Sequence, residues 1–229
     1  LKLSQEHIQQ LHDFTRKHYV EWFDVQLELV DHLANGIEAQ WEQNPKLSFE
    51  EALEKEFKKF GIFGFMDVVS QTENSMGRKY RHFLINEVKE WFKIPQILSI
   101  IVLFIMFFLT FKSQLSEVII LSFYVIFGIW MAYKSFALRR LFKKRRSTSK
   151  KWLLEHIIFQ QASGILFIAI VNIFNMLNLT NGSETSIYGA VFMSLLFTIA
   201  VIVSVVSLHI LPNKADQLLK QTYHSYVTN

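Results

Sequence analysis

Polar and apolar residues follow two different patterns along the chain. Up to about Lys93 the apolar positions recur at spacings of three and four, the period of amphipathic helices, with no alternating strand pattern. The spacing predicts a first helix from the N-cap Ser4 to about Tyr19 and a second from about Val20 to Gln43, stopping before Asn44-Pro45. Ser48-Phe-Glu-Glu51 reads as a capping box, in which the Ser hydroxyl takes the N3 amide proton and the Glu reaches back to the cap N–H. It opens a third helix that ends near Phe60-Gly61, with Gly as the left-handed terminator. After the turn at Gly61–Gly64, a fourth helix from about Met66 carries Tyr80, Phe83, Leu84 and Val88 forward. With few turn residues before Phe111, it is expected to run almost continuously into the first long apolar stretch, a rigid coupling.

Beyond Lys93 the pattern changes to long apolar runs. A bilayer core of about 30 Å needs about 20 apolar helical residues to cross it. Four stretches are read as spans: 94–111, 118–138, 156–179 and 187–211. Pro95 is tolerable in a first turn, whose N–H would be unpaired anyway. Lys134, alone in the second span, can snorkel its charge to the headgroups. Trp91, Trp130, Tyr133, Trp152 and Tyr188 fall at the expected interfaces. The expected fold is all-α: a cytoplasmic helical domain over residues 1–93, a four-helix transmembrane domain over 94–211, and a cytoplasmic tail over 212–229.

Composition sharpens this division. The 229 residues are 51% hydrophobic and 19% charged, with a formal net charge of +4 and no cysteine. Residues 1–93 hold 12 Lys and Arg against 16 Asp and Glu, whereas residues 94–229 hold 12 against 4. The excess of cations therefore sits beside apolar runs, which argues against a nucleic-acid partner. Without Cys there is no disulfide framework, thiolate metal site or cysteine nucleophile. Most cations of residues 94–229 crowd from the end of span two to the start of span three: Lys134, Arg139, Arg140, Lys143, Lys144, Arg145, Arg146, Lys150 and Lys151 face one acid, Glu155. By the positive-inside rule this loop, and with it both termini, is cytoplasmic. Arg139, Arg140, Lys143, Lys144, Arg145, Arg146, Lys150 and Lys151 could also hold anionic lipid headgroups. No apolar leader is visible, so the first span is expected to act as an uncleaved anchor. Asn178 and Asn181 match the glycosylation acceptor pattern, although ordinary loop composition is the favoured account of them.

Candidate chemistry concentrates on the second helix. Phe23, Leu27, Val30, Ala34, Ile37 and Trp41 form an apolar seam. On the neighbouring stripe lie Asp24, Asp31 and Glu38, with Glu28 and Asn35 beside them and His32 further round. Carboxylates at these spacings repel one another, and no Lys or Arg lies among them. Compensation could come from solvent and from Lys58, Lys59, Arg78, Lys79 or Arg81 on neighbouring helices, from a basic groove on a protein partner, or from a metal held by Glu28 and His32 one turn apart. His7, His12 and His18 could add ligands. Asp24, Glu28, Asp31, His32, Asn35 and Glu38 are taken as partner-binding residues, with no catalytic residue, no cofactor and no metal assigned.

The run Phe23-Asp-Val-Gln-Leu-Glu-Leu-Val-Asp-His-Leu-Ala-Asn-Gly-Ile-Glu38, followed by Leu47-Ser-Phe-Glu-Glu-Ala-Leu53 and Phe60-Gly61, resembles the HAAS-type signalling-associated domain. The likeness covers about residues 1–75 and departs at Phe60–Gly64, where that family usually has Leu-Gly-Asp-Pro. The wording is also similar to inner-membrane proteins of Bacteroidota. The resemblance implies a small helical head on a bacterial membrane protein that transmits or receives a signal through a protein partner.

Pumps and proton relays usually place ionisable residues within the bilayer. Here the span interiors offer Gln160, Gln161, Asn172 and Asn175, together with Ser194, Thr198, Ser204 and Ser207, read as hydrogen-bonded contacts between helices or as a path or subunit contact. The expectation is a non-enzymatic, multi-pass protein of the bacterial inner membrane whose acidic head docks a protein partner in signalling or regulation. Two alternatives stand beside it. One is an accessory subunit of a larger secretion or transport complex, or a homo-oligomer, assembled through Asn172 and Asn175; the other is a metal-dependent enzyme built on Glu28 and His32.

Overall fold

The computed structural model describes residues 2–113, 116–148, 150–160 and 186–223. Every regular element among them is a helix. The chain divides into two units, one formed by Leu1–Arg78 with Thr148–His156, the other by Lys79–Ser147 with Ile157–Asn229.

The first unit is built on α1 (Gln5–Lys17), α2 (Phe23–Gln43) and α3 (Phe49–Lys58), followed by the start of α4 (Met66–Glu90). Both expected N-caps are present. Ser4 accepts from the His7 amide, with the His7 ring completing the box, and Ser48 accepts from the Glu51 amide at 3.2 Å while Glu51 returns the bond. α2 begins three residues later than expected. The reason is the end of α1, where the Tyr19 amide bonds Arg16 C=O and the Val20 amide bonds Thr15 C=O, a Schellman turn with Tyr19 at φ 64°. A side chain in that left-handed conformation costs about 1–2 kcal/mol that Gly would not. Val20 is then buried, and the chain stays extended to the α2 cap at Trp22.

α2 lies antiparallel to α1: His7 packs on Trp41 near one end of α2, and His12 stacks on Phe23 near the other. It also runs antiparallel to α3, with the Trp41 indole N–H donating to Leu47 C=O at 3.0 Å and His32 meeting Phe60. The buried face of α2 is Val25, Leu29, Leu33, Ile37 and Trp41, joined by Gln26 and Val30. This corrects the expected seam, which contained Phe23, Leu27 and Ala34. A strict four-residue spacing drifts about 40° per step, so the face turns from one neighbour helix toward the other, and a helix with two neighbours buries a wider arc than one seam.

A later segment, residues 150–156, completes this unit. Residues 153–160 are helical (α7), and Leu153 and Leu154 are fully buried. Trp152, expected at a membrane interface, is instead buried edge-on against Phe23 at 5.3 Å.

The second unit holds the apolar helices. α4 stops at Glu90, where the amides of Trp91, Phe92 and Lys93 turn back to carbonyls three residues earlier, and α5 (Gln96–Lys112) starts only after Pro95. The expected continuous helix is therefore broken: a residue before proline is pushed out of the helical region, and Ile94 holds that position. α6 covers Ser116–Thr148, so Arg139, Arg140, Lys143 and Lys144 lie on a helix and not in a loop. Among the described residues, two stretches, Val118–Arg145 and Ile187–Asn213, are long and apolar enough to cross a membrane, and α5 is a shorter apolar helix. Most of the expected third span, with Gln161, Asn172, Asn175 and Asn178, lies outside the described residues, as does Asn181 in the loop after it, whereas Gln160 is described and exposed.

α5 and α8 (Ile187–Val205) pack through Phe107, Phe111, Ala190 and Phe197, with Ile120 of α6 completing the cluster. Phe197 meets Phe107, Phe111 and Tyr124 with ring centroids 5.2–5.4 Å apart. Ser194, Thr198 and Ser204 bond back to carbonyls four residues earlier on their own helix. These bonds use the three hydroxyl protons within α8. α8 continues through a π-helical turn at Val206–Ile210, in which the Leu211 amide reaches Val206 C=O. Pro212 explains it, because proline brings no N–H and its ring clashes with the carbonyl four residues back. A short helix, α9 (Ala215–Thr222), follows and buries Ala215, Leu218 and Leu219, so this part of the tail is packed.

Candidate functional site

The carboxylate stripe of α2 separates into ends that are used internally and a centre that is exposed. At the N-terminal end, Leu153 donates its amide to Asp24 Oδ1 at 3.1 Å, while Phe23 donates its own amide to Lys151 C=O at 2.7 Å. Phe23 and Leu153 are the first residues of α2 and α7, where amides have no partner inside the helix. Each segment therefore satisfies an orphan amide of the other, and Asp24 sits in a first turn where the helix dipole favours negative charge. Lys151 Nζ reaches Glu21 at 3.2 Å, and Lys150 Nζ lies 4.1 Å above the Phe23 ring. At the other end of the stripe, Glu38 accepts the Leu3 amide at 2.9 Å.

Between these ends, Glu28, Asp31, His32 and Asn35 are exposed and line an open hollow of about 630 Å³ together with Gly36, Glu56 and Lys59. Asn35 donates to Asp31 at 3.3 Å. Glu56 forms the floor. It is 2% exposed, accepts from Gln40 at 2.5 Å and pairs with Lys59 Nζ at 2.5 Å. A buried carboxylate persists when it is paired and hydrogen-bonded in this way. Gly36 makes room for it, since a Cβ there would lie 2.4 Å from Glu56 Cδ and Oε2.

Sequence reasoning missed Glu56, Lys59 as its partner, and Gly36. The available signal was Gly36 itself, since glycine inside a helix commonly marks a close approach. Glu28 and His32 do share the hollow, but among the described residues no three His, Cys, Asp or Glu side chains come together to hold a metal ion. Chemically the hollow presents two exposed carboxylates over a floor already neutralised by Lys59, with Asn35 and His32 at the rim. That set suits a cationic or hydrogen-bonding side chain of another protein.

The basic cluster is divided in the structure. Arg140 stacks on Phe136 at 4.3 Å, Arg145 pairs with Asp216 and lies over Phe159, and Lys150 and Lys151 belong to the first unit. The side chain of Arg146 is outside the described residues. Burial lowers the pKa of His12, with Arg16 and Lys150 acting in the same direction and Asp13 opposing.

No protein-family model, curated protein or solved structure matches the chain.

Proposed function

We propose that the chain is a non-enzymatic, multi-pass protein of the bacterial inner membrane, with a HAAS-like cytoplasmic head that docks a protein partner in signalling or regulation. Three ties support four crossings. Asp24 meets Leu153, Arg145 pairs with Asp216, and Lys214 pairs with Glu87 at 2.7 Å. Residues in contact lie on one side of a bilayer, so the chain between each pair crosses an even number of times. The first interval contains α5 and α6, which favours both as spans although α5 is short. The second contains residues 156–179 and α8, and the third contains all four stretches.

The observation that carries the docking role is the division of the α2 stripe: Asp24 and Glu38 serve the head's own fold, and Glu28 and Asp31 remain exposed around a hollow. The head is in addition joined through α7 to the chain that follows α6, so an event at the hollow has a physical route to the apolar helices. The test is co-purification from membranes with Glu28→Lys and Asp31→Lys. A partner should be lost with these variants and retained with Glu42→Lys, and retention of every partner in all variants refutes the docking role.

A further inference from the structure

One end of the first unit is more apolar than a solvated surface needs to be. Tyr19, Ile62, Phe63 and Met66 are 85%, 100%, 70% and 55% exposed. They belong to one end of the unit because Phe14 and His18, at the end of α1, pack on Phe57 and Phe65, which bracket the turn carrying Ile62 and Phe63. Gly61 and Gly64, with φ of 74° and 54°, fold that turn so that Phe65 is buried and Ile62 and Phe63 project. Tyr19 stands where Gly would be unstrained, so the position keeps a large amphipathic ring at a conformational cost.

The same end receives residues 150–156, through Phe23, Glu21 and Asp24 near the start of α2. Lys150 follows Arg145, the end of an apolar stretch long enough to cross a bilayer, by five residues, a reach of about 18 Å even if fully extended. Lys150 lies over the Phe23 ring at this end and Lys17 closes α1 beside Tyr19, while Lys58, Lys59 and Lys151 are paired with Glu54, Glu56 and Glu21. A projecting apolar tip with an amphipathic ring and lysines beside it, tethered within a few residues of a span, has the make-up of an interfacial anchor. A protein pocket would have to enclose a convex tip on several sides, whereas a headgroup layer needs only to be touched.

We infer that Tyr19, Ile62, Phe63 and Met66 insert into the headgroup and upper acyl region of the cytoplasmic leaflet, seating the head on anionic lipid. This rests on the membrane reading above. The absence of native cysteine makes the test clean. Phe63→Cys and Gln43→Cys, the latter exposed at the far end of α2 about 30 Å away, are labelled with an environment-sensitive fluorophore in the full chain. Each is then reconstituted in phosphatidylcholine and phosphatidylglycerol vesicles. The Phe63 label should shift to the blue and be quenched several-fold more by acyl-chain nitroxide lipid than by iodide, with the reverse for Gln43, at every protein-to-lipid ratio. Equal iodide quenching at both sites overturns the anchor, as does protection that disappears on dilution in lipid, which assigns the tip to a second copy. Extraction of the protein from the vesicles by alkaline wash refutes the membrane reading itself.

Discussion

The Asp24 carboxylate accepts the amide proton of Leu153 across 129 residues of sequence, and the neighbouring Phe23 amide returns a bond to Lys151. Losing a carboxylate at a helix start costs about 1 kcal/mol, up to about 2 when partly buried. Asp24→Ala should therefore lower stability by that amount, and Asp24→Asn by less. Hydrogen exchange should rise at the amides of residues 151–156 while Glu51 and its capping box stay protected. Unchanged exchange at Leu153 would show that the contact does not order the segment.

Gly36 and Glu56 should behave as a coupled pair. Alanine at 36 gains up to about 1 kcal/mol in helix propensity but displaces a buried carboxylate from Gln40 and Lys59. Gly36→Ala alone is expected to destabilise by about 1–2 kcal/mol. In a Glu56→Ala background the same substitution should become neutral or stabilising. A double-mutant cycle on thermal unfolding reads the coupling, and additivity of the two changes would refute it.

His12 sets a pH dependence of known sign. Its native pKa lies below 6.5, first because of burial and then because of Arg16 and Lys150. Above pH 6.5 the ring is neutral in both folded and unfolded chains, and its contribution to stability is fully present. As the pH falls from 6.5 toward the native value, the unfolded chain takes up the proton first and stability is lost; below the native value the loss levels off. His12→Asn should flatten that part of the pH–stability curve, and NMR titration of the ring should give a midpoint below 6.5.

Tyr80 is 2% exposed, and its hydroxyl and that of Ser207 are buried without hydrogen-bond partners among the described residues. Burial pushes the Tyr80 hydroxyl above the usual tyrosine value, so it stays neutral at working pH. Tyr80→Phe removes an unpaired group and should change stability by less than about 1 kcal/mol, whereas Tyr80→Ala should cost about 3–5 kcal/mol. A large loss for Tyr80→Phe would show that the hydroxyl is satisfied in solution.

Tyr19→Gly should raise stability by about 1 kcal/mol by relieving the left-handed position. Denaturation of the purified chain in detergent, where no lipid surface competes for the ring, checks this.

What could be read from the sequence was what is encoded locally. Ser4, the Ser48 to Glu51 box, Gly61 and Met66 mark helix ends through contacts within a few residues, and the structure places them as expected. The stretch 187–211 reads from its apolar length alone and corresponds to Ile187–Asn213. Asp24 reads as a partner-binding residue because nothing near it in sequence neutralises it. Its partner amide lies beyond two apolar helices, and backbone amides carry no residue-specific signal. The α2 seam was displaced for a related reason, since which arc is buried depends on where α1 and α3 sit. The break at Ile94-Pro95 was legible in principle, because the restriction proline places on its predecessor is local.

The junction between α2 and α7 also imposes an order of events at the ribosome. The head emerges first, but the carbonyl of Lys151 and the amide of Leu153 are not synthesised until well over a hundred residues later, roughly ten seconds at ordinary elongation rates. During that interval α2 has an unfinished first turn. Final closure of the first unit is thus a late step, possible only once the two apolar helices α5 and α6 have been made.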